Sequence, residues 1–163
     1  MKLKYISWLP AALIMVIIFS FSSKPATISG ESSLKISHTI LHTYETITDQ
    51  PYEEDTRQQV LLELDHIVRK SAHFTEYALL AAAWFYHFIL HRKGNRMGAI
   101  LSILITSVYA ASDEFHQTFV AGRSGQLSDV LLDSCGAAAG ALFFLFLLTI
   151  SKKLRVNKAN WRQ

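Results

Sequence analysis

Hydrophobic residues in this chain are gathered into long runs, with polar segments between them. The runs at 5–21, 71–90, 97–119 and 129–150 fall in the length range of helices that cross ~30 Å of hydrocarbon at ~1.5 Å per residue. Residues 22–70 read differently. "SSKPATISGESS" is turn-rich and suits a loop. Ile36, Ile40, Tyr44 and Ile47 then recur at helical spacing, and "DQPYEED" reads as a new helix start. There Asp49 can cap, Pro51 fits the first turn, and the acids suit the positive end of the helix dipole. Val60, Leu61, Leu64, Ile67 and Val68 continue as an apolar stripe. The segment therefore reads as an amphipathic helix lying on the bilayer or packed on the bundle. It is too short to bury the core of a separate soluble enzyme domain. Between the third and fourth runs, "VAGRSGQLSD" is a tight connection, in which Gly122 and Gly125 permit turns and Ser128 can cap the following helix.

The expected fold is all-α: a single multi-pass membrane domain over 1–163. It has four transmembrane helices, an extracytoplasmic amphipathic helical segment at 22–70 between helices 1 and 2, and a basic tail at 151–163. Lys2 and Lys4 before the first run resemble the start of a signal peptide, but no A-x-A-like site follows, and the run reads as an uncleaved helix.

Charge adds an orientation. Lys2 and Lys4, then Arg92, Lys93 and Arg96 in "HRKGNR", then Lys152, Lys153, Arg155, Lys158 and Arg162 share one side of a four-pass chain, with no acid among them. The 13 acidic residues fall on the other side or at helix ends facing it. Both termini are therefore expected to be cytoplasmic in a cell-membrane protein. The net charge of +3 and pI near 9 then report membrane orientation rather than a nucleic-acid partner, and the basic tail lies near anionic lipid heads. With one cysteine, Cys135, no intrachain disulfide is possible.

The polar residues inside the runs agree in depth. The second run, going inward, begins with Lys70, His73, Glu76 and Tyr77; the third, going outward, ends with Asp113, Glu114, His116 and Gln117; the fourth carries Asp129 and Asp133 early. Lys70, His73 and Tyr77 share a helix face, as do His73 and Glu76, and Asp129 and Asp133 are one turn apart. Charges within a membrane helix are costly, so these groups are expected to face one another or a wet, outward-opening pocket between helices 2, 3 and 4. Lys70 and Arg123 are the basic partners for the acids. "GAAAG", Gly136 to Gly140, would let a neighbouring helix approach just inward of this level.

"RKSAHFTEYALLA" and "DEFHQTFVAGRSGQLSDVLLDSCGAAAG" resemble the VanZ-like family, named for the teicoplanin resistance protein, and "FSFSSKP" is similar to the ending of that family's first helix. The family-typical positions are Lys70, His73, Glu76, Tyr77, Asp113, Glu114, His116, Gln117, Gly122, Arg123, Asp129 and Gly136. Ala121 stands where the family often has proline, and Asp133 where it often has asparagine. The resemblance implies a small envelope membrane protein, linked in its namesake to lower susceptibility to a glycopeptide; it implies no settled reaction and no cofactor.

The residues leave several chemistries open. In the first, Lys70, His73, Tyr77, Gln117, Arg123, Asp129 and Asp133 bind an envelope lipid or cell-wall precursor through a phosphate, with Glu76, Asp113, Glu114 or His116 as acid or base. In the second, His73, Glu76, Asp113, Glu114, His116 and Asp129 serve a metal-dependent hydrolase or transferase, although H-x-x-E and D-E-x-H match no strong metal signature. In the third, the polar set is a structural ion-pair network. Proton-coupled transport is disfavoured by the apolar inner halves of the helices. His87 and His91 read as head-group contacts, His38, His42 and His66 as surface residues, and Trp8, Trp84 and Trp161 as packing or interfacial anchors. His66 also shares a face with Lys70 and His73.

Overall fold

A computed structural model describes residues 3–160, and Trp161 lies outside them. Six helices follow in order: α1 (Leu3–Ile6), α2 (Leu9–Ser22), α3 (Ala26–Thr48), α4 (Glu54–Leu90), α5 (Asn95–Gln117) and α6 (Leu127–Asn160). No strand occurs among the described residues.

The first run is broken near its start. Ser7 and Trp8 interrupt the helix, and Pro10 falls in the first turn of α2, where a missing N–H costs nothing. Ser7 is buried at this break: it is hydrogen-bonded to the Lys4 carbonyl and to His87 Nδ1, both at 2.8 Å. His91 Nε2 lies 3.2 Å from the same carbonyl. His87 and His91 thus pack the end of α4 onto α1, instead of standing free at an interface.

Among the described residues three helices are long and apolar enough to cross a membrane, at Lys4–Ser22, Asn95–Gln117 and Leu127–Leu154. The second expected span is the C-terminal half of α4, where His73, Glu76, Tyr77 and His87 dilute the apolar content. There is no break between residues 70 and 71: α4 has 37 residues and runs about 55 Å without interruption. Many large apolar side chains face outward while polar ones are buried, which fits a lipid surround. α5 buries Ser102, Thr106, Asp113, Glu114 and Gln117 while exposing Ile100, Leu104, Val108 and Phe115.

Several local expectations change in the 22–54 region. α3 begins at Ala26, so most of "SSKPATISGESS" is helical. Asp49 does not cap α4: it ends α3 in the left-handed conformation (φ 53°), which Asp tolerates better than most residues. Pro51 lies outside either helix, and α4 starts at Glu54 with Glu54 and Asp55 in its first turn. α3 returns along α4, burying Ser33, Ser37 and Leu41 while Ile40 and Ile47 point outward. Small side chains at this seam let the two helices approach closely. An ion pair from Arg57 to Glu45 at 3.2 Å and stacked Tyr44 and Tyr52 rings close the end of the hairpin.

α4 is the central element, in contact with α2, α3, α5 and α6. Ala11, Ile18, Tyr77, Leu80 and Ala110 form one core where α2, α4 and α5 meet; Phe85, Ala99 and Ala141 form a second. α4 and α6 run parallel and nearly touch: a side chain at Gly136 would strike the Phe74 carbonyl, and one at Gly140 the Ala78 carbonyl. This close seam fixes the registry of α4 against α6, and with it the height at which their polar residues meet.

Candidate functional site

The polar end of the bundle is built around Arg123. The turn after α5 needs a left-handed residue, supplied by Gly122 (φ 73°). It is tied to the start of α3 by the Ala26 N–H, which donates to the Ala121 carbonyl at 3.2 Å. From this turn the Arg123 guanidinium reaches in three directions. Nε donates to the Lys24 carbonyl at 2.9 Å, Nη2 to the Phe21 carbonyl at 3.2 Å, and Nη1 to Gln117 Oε1 at 3.1 Å. It therefore holds the end of α2 against the α5–α6 turn, rather than pairing directly with an acid. Burial lowers its pKa, an effect that Asp113 opposes, Arg69 adds to and Glu114 opposes; a guanidinium nevertheless stays cationic.

Gln117 passes the network inward. Its amide Nε2 donates to Asp113 Oδ2 and to Glu114 Oε1, both at 3.1 Å. Tyr77, fully buried on α4, donates its hydroxyl to Asp113 Oδ2 at 3.2 Å. Glu114 Oε2 accepts from the Gln126 backbone N–H at 3.0 Å, so this carboxylate caps α6. Ser128 is not the cap: α6 already includes it, and its hydroxyl turns to Gln126 and Asp129. On the opposite wall Lys70 pairs with Asp129, and Arg69 with Asp65 at 2.5 Å one turn back on α4.

Between these walls lies a cavity of about 210 Å³. Its lining includes Lys70, His73, Glu114, Gln117, Arg123 and Asp129 from the expected set, together with His66, Arg69, Ser124, Gln126 and the first turn of α3 at Ala26 and Ser29. Three permanent cations and two imidazoles face two carboxylates here, and the positive end of the α3 dipole adds to that balance. A second cavity of about 260 Å³ adjoins it, lined by Ile18, Phe21, Ile36, Val68 and Ala72 together with Glu76 and serines of α2 and α3.

The other expected residues sit elsewhere. Asp113 and Tyr77 stand behind the cavity wall as its support. Asp133 is 1% exposed, and both its carboxylate oxygens, like Asp113 Oδ1, have no partner. His116 faces away: its ring packs on Phe19 of α2 at 4.8 Å, because the buried side of α5 is set by Asp113, Glu114 and Gln117. Arg69 went unrecognised in the sequence, although its spacing from His66, His73 and Glu76 puts it on their helix face. The part played by α3 had no signal, since its start reads as loop. Among the described residues no three His, Cys, Asp or Glu side chains converge in a way that could hold a metal ion.

Comparison with curated proteins and comparison with solved structures each found no match. A sequence profile of the VanZ/LLP1 family matches residues 7–148, which takes in α2 through most of α6 and every residue of the polar site. The chain belongs to the VanZ/LLP1 family.

Proposed function

We propose that this protein binds the anionic head group of an envelope lipid or lipid-linked cell-wall precursor at the cavity between α3, α4 and the α5–α6 turn. The observation that carries this reading is the set of donors in the lining: the cations Arg69, Lys70 and Arg123 and the imidazoles His66 and His73 surround one small space at a helix N-terminus, against the two carboxylates Glu114 and Asp129. Guanidinium, ammonium and helix N-terminus are the groups that recognise phosphate. In this reading the chain crosses the membrane four times, counting the second half of α4, with both termini cytoplasmic and the cavity open to the outer side. Occupation of a precursor's head group there is also the route by which such a protein would alter glycopeptide susceptibility.

A purely structural ion-pair network is the competing reading, and the Lys70–Asp129 pair favours it. Asp133 counts against it, because a clamp gains nothing from a buried carboxylate with neither oxygen partnered. Binding of inorganic phosphate to the full chain in amphipol, followed by phosphorus NMR, tests the proposal: saturable binding that Lys70→Met weakens is expected. A folded protein with no phosphate binding and no phosphate-bearing lipid in its extract overturns it. Glu76→Gln and Asp113→Asn keep shape and remove charge; folded variants without function argue against the clamp. Reporter fusions at residues 45 and 94 should report opposite sides of the membrane, and a cytoplasmic residue 45 would remove the outward opening.

A further inference from the structure

We propose that the second cavity receives the hydrocarbon chain of the same ligand, which makes that ligand a single-chain phosphate amphiphile. This rests on reading the polar cavity as an anion site. The two cavities share a wall: Ser29, Arg69, His73 and Arg123 line both. Beyond that wall most of the surface is apolar, from Ile18 and Phe21 of α2, Ile36 of α3, and Val68 and Ala72 of α4, with Glu76 and the serines at 22, 32 and 33 between them. α2 and α3 each pack on α4, and the space lies in the wedge between them. Cationic groups at one end and aliphatic side chains at the other match a molecule with a charged head and an apolar tail. A bound phosphate held by Arg123 and His73 would carry its ester oxygen toward this wedge.

The size of the wedge, about 260 Å³, sets the valency. One chain fits it, whereas a diacyl lipid would have to leave its second chain outside the bundle. Apolar surface removed from water is the driving force for a soluble probe, at a gain of roughly threefold to fourfold in affinity per buried methylene.

The test compares inorganic phosphate with butyl, octyl and dodecyl phosphate, titrated below micelle formation into the full chain in amphipol. Wild-type affinity is expected to rise from phosphate to octyl phosphate and then level as the chain outgrows the wedge. Ser32→Trp and Val68→Trp fill the wedge from α3 and α4, away from the polar cavity. Each should leave inorganic phosphate affinity and Tm unchanged while abolishing the gain with chain length. If affinity rises equally in wild type and both filled variants, the chain lies elsewhere and the inference falls, while the anion site stands. A diacyl phosphatidate that displaces octyl phosphate as well as a single-chain phosphate of equal chain length also overturns it. Absence of any binding, including that of inorganic phosphate, removes the anion site and the chain site together.

Discussion

The two ends of the C-terminal half of α4 solve the same problem in opposite ways. Near Phe85–His91 every polar group in the contact with α1 has a protein partner, and aromatic side chains fill the space against Gly98 and Phe144. Near Lys70–Tyr77 there are more polar groups than partners, and the helices stand apart around a cavity. Polarity at the first end fastens helices together. At the second it lines a cavity.

Of the α6 glycines, Gly136 packs on Phe74 at the polar level and Gly140 on Ala78 just inward of it, so disturbing this seam should affect both ends. Gly140→Leu, which drives a side chain into the Ala78 carbonyl, is expected to cost about 3 kcal/mol or more. Thermal unfolding in detergent would measure this, and an unchanged Tm would mean that the α4–α6 seam is not as close as described. Arg123→Ala sharpens the contrast at the polar end. Its three hydrogen bonds join three segments, and their loss should cost about 2 kcal/mol and at least about a tenfold loss of phosphate affinity. Arg123→Lys should recover charge but not the forked contacts, so affinity should return only in part.

Asp133→Leu probes the surplus directly. A buried carboxylate without partners is a cost to folding, and its replacement by an apolar group should raise stability by about 1 kcal/mol. A marked fall in Tm would show that Asp133 is held by contacts after all. An effect of similar size and opposite sign is expected at the fastened end: His87→Ala should cost about 1 kcal/mol through Ser7 and leave phosphate affinity untouched. A loss of binding in that variant would erase the distinction between the two ends.

Much of this contrast is visible in the sequence, and the reason is depth. Lys70, His73, Glu114, Gln117, Arg123 and Asp129 can be brought to one level by counting residues along helices of known direction, and the cavity gathers these residues. Rotation about each helix axis is less legible. His116 is one residue from Gln117 yet faces α2, because the neighbours that decide the buried side of α5 are distant in the chain. The partners of Arg123 were hidden for another reason: two of the three are backbone carbonyls, which carry no side-chain signature. The stretch around Asp49 and Pro51 reads as the start of a helix, because Asp and Pro suit a helix N-terminus, yet the helix begins only at Glu54. Closure of the α3–α4 hairpin puts Asp49 at the end of α3 instead.

The unbroken course of α4 has a mechanical consequence. A helix with a hydrogen-bonded turn at every position transmits displacement along its length, and no hinge separates the hairpin tip near Glu54 from the level of Lys70 and His73. Whatever pushes or tilts the tip therefore moves one wall of the cavity, with the glycine seam on α6 as the fulcrum. The α3–α4 hairpin is in this sense the long arm of a lever whose short arm carries the cationic side chains.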